Sequence, residues 1–452
     1  MLKREVEREI LDWIKGSDRR CLMIDGVRQA GKTYIIRKKL EETGSDWTEF
    51  NLIDQPSLAV SLSGARTTDD LVAQLSLFTD RKLERGKTII FIDEVQKCSE
   101  IGTLIKFWCD EGDFRFILSG SLLGVSYKHI TSVPVGYMKT LKMYPLSFRE
   151  FLQVYNMTDE LLSYLRKAFR DRTPVSEAVH SRLLEAFRMY LVVGGMPQAV
   201  EEFRTSHDLR KVGDIQKQIV TFYKQDFSQY EEWENRLYLS RIYDLIPAEL
   251  RAQNKRFSVS CVKEGLAYER GREDFLWLTE AGVALPVYNV TAPTVPLLLN
   301  EKSSLFKLFL SDVGLLSNIY GNETKIAVLN EDRDLNSGAI YENFVCQELY
   351  AYGFTPYYFN SKKMGELDFV IEYGGKTLPL EIKSGKDYYR HSALDNALGV
   401  KDYAIDEAFV FALSNVEVKG NVVYYPIYML MCLQNDVELP SPEPFDFSKI
   451  PL

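Results

Sequence analysis

Apolar and polar positions follow two rhythms along this chain, and the switches between them mark its elements. Leu2, Val6, Ile10, Leu11 and Ile14 recur at helical spacing and stop near Gly16. Cys21-Leu22-Met23-Ile24 is a short continuous apolar run, which predicts a buried strand, and Tyr34 to Leu40 returns to a helical pattern. A second strand is expected over 46–53, with Trp47, Phe50 and Leu52 as its apolar members, and a helix over 71–77. Thr88 to Ile92 and Phe114 to Leu118 are strands, the first apolar throughout, as in a parallel sheet covered on both faces. Met138 to Tyr144 adds one more. Residues 147–230 read as helical, with amphipathic stretches over Phe148–Tyr155, Leu161–Phe169 and Ser181–Val193.

Past residue 230 the pattern changes. Helical stretches at Arg236–Arg251 and Val259–Glu269 precede Asp274–Leu278, and Gly282–Tyr288 reads as a strand with a turn at its front. Helix, helix, hairpin predicts a winged helix, and Arg270 and Arg272 make its turn basic. Two roles fit that module, DNA contact and protein scaffold. Residues 304–322 give a short strand, then a helix capped at Ser311 or Asp312. Ser337–Tyr352 is a helix. Tyr357-Tyr358-Phe359, Glu366–Ile371 and Thr377–Lys383 are strands, the last two joined by a Gly374-Gly375 hairpin turn. The tail from Pro440 is proline-rich and reads as irregular.

The first strand and helix enclose Gly26-Val27-Arg28-Gln29-Ala30-Gly31-Lys32-Thr33. Strand, glycine-bounded loop ending in Lys-Thr, helix is a P-loop in its required context. Gly26 and Gly31 let the backbone N–H groups turn inward around phosphate oxygens, and the helix N-terminus adds its dipole. Lys32 would reach the β- and γ-phosphates, and the Thr33 hydroxyl would ligate Mg2+. Asp93-Glu94 stand at the carboxyl end of the all-apolar strand, where ligands of parallel sheets bind. They read as a Walker B pair: Asp93 holds Mg2+ through water, and Glu94 polarises the attacking water. The strand to Leu118 ends in Ser119-Gly120-Ser121, a sensor position for the γ-phosphate, with Ser119 the first candidate and Ser121 the second. Gly194-Gly195-Met196-Pro197 interrupts the helical region. It reads either as a plain turn or as a lid contact to the nucleotide base through Pro197.

A second constellation lies downstream. By strand alternation Glu381 and Lys383 point to one side, and Asp368 on the adjacent strand can meet them. Asp, then Glu-x-Lys across a hairpin, is a phosphodiesterase pattern: carboxylates hold Mg2+ or Mn2+, and the lysine positions the water. Glu342 on the preceding helix offers a further ligand. Glu366 either substitutes for Asp368 or flanks it.

Composition narrows the class. A chain of 452 residues with 46% hydrophobic and 26% charged residues is an ordinary globular protein of about three domains. Its six cysteines form no C-x-x-C pair and its four histidines stand at no ligand spacing, so a zinc or histidine metal site is not expected. No signal peptide is visible, and the apolar run from Val422 to Leu433 is too short to span a bilayer, so the expectation is a cytoplasmic protein without membrane contact. The net charge of −9, carried wholly beyond residue 150, argues against broad nonspecific nucleic-acid affinity but leaves room for a local basic groove.

Together these stretches resemble the prokaryotic AAA-type ATPases that carry a winged helix and a C-terminal domain similar to PD-(D/E)xK nucleases. Besides the P-loop and Phe91–Gln96, the resemblance rests on Ser119–Ser121, Pro145–Phe151, Gly194–Pro197, Phe306-Lys307, Asp312–Leu315 and Tyr341–Val345. It implies an α/β fold: an ATPase core over 1–146, a helical lid over 147–230, a winged helix over 231–300 and a nuclease-like domain over 301–452. It also implies ATP and Mg2+ as cofactors, and a lid proline, Pro197, that approaches the adenine. One departure stands out: Gly136-Tyr137 occupies the place of the family's Gly-Arg, a candidate trans-acting arginine finger. The function expected is an ATP-hydrolysing switch that gates a nuclease-like module acting on DNA. The alternative is a regulatory ATPase or scaffold whose inactive nuclease fold binds a protein partner. Both ring-forming and monomeric relatives fit this pattern, so assembly stays open.

Overall fold

The computed structural model describes residues 2–120, 136–230, 233–252, 255–257, 275, 277–332 and 337–435. Helix α1 (Val6–Lys15) leads into strand β1 (Cys21–Gly26) and helix α2 (Lys32–Thr43). Then follow β2 (Trp47–Asn51), α3 (Pro56–Leu62), α4 (Thr68–Leu75), β3 (Ile89–Asp93), α5 (Ile101–Glu111), β4 (Arg115–Gly120) and β5 (Met138–Met143). The five strands form one parallel sheet in the order β2-β3-β4-β1-β5. Strand β4 therefore lies between the P-loop strand and the Walker B strand. Its register sets Ser119 beside both Ile24 and Asp93. Burial on both faces explains the unbroken apolar runs: Ile90, Ile92 and Phe116 pack beneath α3, α4 and α5, while Ile24, Phe91 and Ile117 face α1 and α2.

The helical region is α6 (Phe148–Phe151), α7 (Asp159–Asp171), α8 (Glu177–Val193), α9 (Pro197–Ser206) and α10 (Leu209–Tyr230). Helix α6 starts on a reciprocal capping box between Ser147 and Glu150, and α9 opens with Pro197 at its first turn, where a missing N–H costs nothing.

After α11 (Trp233–Arg251) come β6 (Ala284–Val290), β7 (Glu301–Leu310), α12 (Val313–Tyr320), α13 (Asn322–Leu329) and α14 (Gly338–Ala351). They are followed by β8 (Tyr357–Ser361), β9 (Gly365–Tyr373), β10 (Lys376–Ile382), α15 (Ser392–Leu398), β11 (Ala408–Ala412), β12 (Glu417–Lys419) and β13 (Val422–Pro426). All eight strands from β6 onward share one mixed sheet, ordered β12-β13-β11-β10-β9-β8-β6-β7.

This corrects the winged-helix hairpin. Residues 277–280 are helical, and β6 pairs antiparallel with β7 and parallel with β8. The boundary expected at 300/301 thus cuts a strand pair, because the partner of β6 lies later in the chain. The expected second helix and its basic turn at Arg270 and Arg272 lie outside the described residues. Of the two caps considered for the next helix, Asp312 is the one used, accepting from Leu315 N at 2.9 Å. Gly374 and Gly375 turn the β9–β10 hairpin with φ of 57° and 76°. One continuous apolar core runs from α1 and one face of the first sheet, through α8 and α10, into the second sheet beneath α14. Among the described residues, no helix is long and apolar enough to cross a membrane.

Candidate functional site

The loop between β1 and α2 is shaped by its glycines. A side chain at Gly26 would put its Cβ 2.1 Å from the Met143 carbonyl, and Gly31 caps α2 at φ 93°. Lys32 folds back on the loop, donating to the carbonyls of Gly26 (2.7 Å) and Val27 (3.1 Å). Burial pushes its ammonium pKa down, against the pull of Glu94, Asp25 and Asp93.

Asp93 is the hub of the opposite wall. It accepts from Thr33 Oγ1 (2.8 Å), Asn51 Nδ2 (3.2 Å), its neighbour's Glu94 N (3.0 Å) and Ser119 Oγ. The expected Mg2+ ligands Thr33 and Asp93 are thus adjacent, a hydroxyl and a buried carboxylate of the hard-oxygen kind that Mg2+ takes, so the residues present fit the ion. Ser119 touches Asp93 directly; Ser121 lies outside the described residues. Glu94 sits in the left-handed region at φ 58°, with its carboxylate accepting from Gln96 Nε2. Gln96 fits there because Gly120 has no side chain: a Cβ would lie 2.4 Å from Gln96 Oε1.

Among the cavities that flank the loop, two are lined by Gly31. One, about 240 Å3, is lined by Lys32, Thr33, Glu94 and Gln96, and on its far side by Tyr223, Asp226 and Trp277. The other, about 520 Å3, lies between Gly31, Tyr34, Met143 and Pro197. The Pro197 ring stands 3.7 Å from where a Gly31 Cβ would be, so Pro197 packs beside the P-loop. Val27, Arg28, Gln29 and Ala30 fill out the loop, with Gln29 at φ 66°. Helix α10 grips it: Arg28 pairs with Asp226, and Tyr223 OH donates to Arg28 O at 3.2 Å. Asn51, Gln96, Tyr223 and Asp226 are site residues that sequence reasoning did not assign. Gln96 had a signal, its place two residues after the Walker B acid; the others are set by tertiary packing.

In the second constellation Lys383 Nζ lies 2.8 Å from Glu381 Oε1, so the two do share a side, and Asp368 Oδ2 accepts from Ile382 N at 2.9 Å. Glu381 and Glu342 are buried, and each keeps one carboxylate oxygen without a hydrogen-bond partner. Burial, reinforced by Asp368, pushes both carboxyl pKa values up. Lysines supply much of the balancing charge. Lys255 pairs with Glu342, and the fully buried Lys307 lies 2.6 Å from Glu366 and 4.0 Å from Glu342. Glu366 therefore flanks Asp368 rather than replacing it. Among the described residues, no three carboxylate, histidine or cysteine side chains stand together as a metal site. The expected metal ligands Glu342, Asp368 and Glu381 are within electrostatic reach of one another, and Glu342 is paired with Lys255.

Residues 18–152 match a family described as an AAA domain. This part of the chain is an AAA-type P-loop ATPase domain. Residues 184–326 and 337–430 match two further families, each described only as a domain of unknown function. Among solved structures, the chain is similar to a Walker-type ATPase of Pyrococcus abyssi at 14% identity and TM-score 0.42, covering 71% of this chain and 96% of that one. Cdc6p from Pyrobaculum aerophilum matches at 12% identity and TM-score 0.25, covering 73% and 96%. No curated protein matches the chain in sequence.

The AAA domain is joined to the rest through a buried hydrogen-bond node. At its last turn, Leu146 N donates to Gly195 O (2.7 Å), and Leu146 O accepts from Tyr190 OH (2.5 Å). Gly195 N donates to Asp312 Oδ2 at 2.6 Å. From α14, Glu348 accepts from Phe148 N (3.0 Å), Gln347 from Val313 N (2.7 Å) and Asn343 from Leu310 N (2.8 Å). Burial raises the Asp312 pKa to about 6 and that of Glu348 to about 7, against the backbone and side-chain donors that favour their charged forms.

Proposed function

We propose that this chain is an ATP-hydrolysing switch whose lid, residues 147–230, gates a C-terminal nuclease-like module acting on DNA. The observation that carries the reading is the position of Gly195. It is bonded on one side to Leu146 of the AAA domain and on the other to Asp312, and it lies two residues before Pro197 on the P-loop. In this reading Lys32 and the loop N–H groups bind the β- and γ-phosphates, which draws Lys32 off its own carbonyls. Thr33 and Asp93 hold Mg2+, which supplies charge neutralisation of the phosphates when bound. Glu94 orients the attacking water, and Ser119 keeps Asp93 in place. Pro197 packs beside the base, and a shift there is handed through Gly195 to α12 and α14. Helix α14 carries Glu342 into the second carboxylate cluster.

The test has two arms. Lys32→Ala should lose binding of a fluorescent ATP analogue and all hydrolysis; normal binding by that variant would overturn the nucleotide site. Wild type, Lys383→Ala and Glu94→Gln are then assayed for DNA cleavage with Mg2+ or Mn2+, with and without ATP. The reading expects cleavage that needs Lys383 and changes with ATP.

A second reading has its own observation. The pairing of Glu342 with Lys255, and of Lys307 with Glu366, favours a charge-compensated fold that binds a protein partner without cutting nucleic acid. An absence of cleavage by wild type in every condition would select it.

A further inference from the structure

We propose that the ammonium of Lys255 is a tethered stand-in for a divalent cation: it closes the carboxylate site of Glu342, Asp368 and Glu381, and a metal ion binds there only once Lys255 withdraws. The inference rests on the reading that the nucleotide switch gates the C-terminal module, and it names the contact that does the gating.

Charge balance points to the exchange. Fully ionised, the four carboxylates of Glu342, Glu366, Asp368 and Glu381 against the three ammonium groups of Lys255, Lys307 and Lys383 leave one negative charge. Without Lys255 they leave two, the charge that a divalent ion cancels. Lys307 stands on β7, 2.6 Å from Glu366 and 4.9 Å from the Tyr358 ring, and Lys383 directly follows β10, 2.8 Å from Glu381. Of the three, Lys255 alone reaches in from the stretch after α11. It donates to Glu342 on α14, and its charge also acts on Asp368 of β9. Burial pushes its ammonium pKa down, but Glu342 and Asp368 pull harder and leave it raised, so Lys255 is charged here. Glu342 Oε2 and Glu381 Oε2 are buried without a hydrogen-bond partner. These are the hard oxygens that Mg2+ and Mn2+ take, and leaving them bare is costly.

The helix that leads to Lys255 also packs on the wall of the nucleotide cavity. Tyr243 of α11 lies edge-on to Tyr223 and Phe227 of α10, with centroids 6.4 and 5.8 Å apart. Both of those rings line the cavity that holds Lys32 and Thr33. At its far end α11 is fixed to α12: Tyr320 OH donates to Pro247 O at 2.8 Å, and Arg251 stacks 3.8 Å over the Tyr320 ring. Just past Lys255, Phe257 N donates to Phe306 O of β7 at 2.9 Å. The segment is thus held on both sides, and withdrawal needs only a swing of one long side chain. In this proposal, filling the cavity shifts α10 against α11 and draws Lys255 off Glu342.

The test measures Mn2+ binding to the full chain without nucleotide, read from the electron paramagnetic resonance signal of free Mn2+. Wild type should bind weakly. Lys255→Met should bind roughly ten- to a hundredfold more tightly, the effect of removing one cation from beside the site. Lys255→Gln, which keeps a donor for Glu342 without the charge, should shift the same way. Lys255→Arg keeps the charge and should stay within about threefold of wild type. Adding Glu381→Gln to Lys255→Met should abolish the gain, and adding Asp93→Ala should not, which separates this site from the P-loop. ATP-analogue binding by the Lys255 variants checks that the chain is folded. If both uncharged variants bind Mn2+ no better than wild type, or if the gain survives Glu381→Gln, the exchange is overturned, while DNA cleavage that changes with ATP would still uphold the gated module. If they gain Mn2+ at this site yet cut no DNA, Lys255 is the lock of a cation site and the nuclease reading falls instead.

Discussion

The carboxylate of Asp312 accepts the backbone N–H of Gly195 at 2.6 Å, and its other oxygen caps α12 by accepting from Leu315 N at 2.9 Å. One side chain thus ties Gly195, two residues before Pro197, to the helix that follows β7. The elements touch closely: a Cβ on Gly314 would lie 2.6 Å from Gly194 Cα. Removing Asp312 strands a buried N–H, loses a helix cap and opens a cavity. Asp312→Ala should therefore cost roughly 2–4 kcal/mol in urea unfolding, and Asp312→Asn, which keeps an acceptor, about 1 kcal/mol. Equal losses from both variants would contradict the bonding role.

The same node makes stability depend on pH. The Glu348 carboxyl is raised from 4.5 to about 7, chiefly by burial. Between those values the folded chain keeps a proton that the unfolded chain has released. Its contribution is therefore complete below 4.5 and is lost as pH rises through about 7, to a total of roughly 3 kcal/mol. Glu348→Gln cannot titrate, so its stability relative to wild type should improve by that amount across the window. Urea midpoints that stay parallel from about pH 5 to about pH 7.5 would contradict the assignment.

In the proposed mechanism Glu94 and Gln96 divide the hydrolytic task, with Gln96 Nε2 donating to the Glu94 carboxylate. Glu94→Gln should bind ATP as wild type does but hydrolyse it about a hundredfold or more slowly, as expected for loss of a general base. Gln96→Leu leaves the carboxylate in place but without its Nε2 donor. We expect about a tenfold lower kcat with little change in KM, read in steady-state phosphate release. A KM effect alone would assign Gln96 to binding instead.

Arg28 pairs with Asp226 on α10, and under the proposed function it would exchange that partner for the phosphates of a bound nucleotide. The Arg28–Asp226 pair is half-exposed on the arginine side, so it is worth no more than about 1 kcal/mol. Asp226→Ala should accordingly tighten ATP binding by about two- to fivefold. Weaker binding would mean that the pair helps build the site rather than competing for it.

The ATP site was legible because its chemistry is local. Gly26 to Thr33 is one contiguous stretch, and the apolar run ending in Asp93 is another, so spacing alone points to them as candidates. Asn51, Tyr223 and Asp226 were not legible, since only the strand order and the docking of α10 bring them to the loop. The hairpin failed for the same reason. Strand β6 finds its partners, β7 and β8, after it in the chain, and a turn signal near Gly282 says nothing of that. Pro145–Phe151, Gly194–Pro197, Asp312–Leu315 and the helix containing Tyr341–Val345 could be quoted as separate motifs. That they meet in one buried hydrogen-bond node follows only from the fold.

Nucleotide binding at the P-loop is expected to reach the C-terminal module. Amide hydrogen exchange over α14 and the β9–β10 hairpin, residues 338–382, can be followed with and without a slowly hydrolysed ATP analogue. Wild type should show a change in protection there on binding, and Asp312→Asn a smaller one. Lys32→Ala should show none. Exchange at 338–382 that is identical with and without nucleotide in wild type, while the P-loop region is protected, would contradict the account.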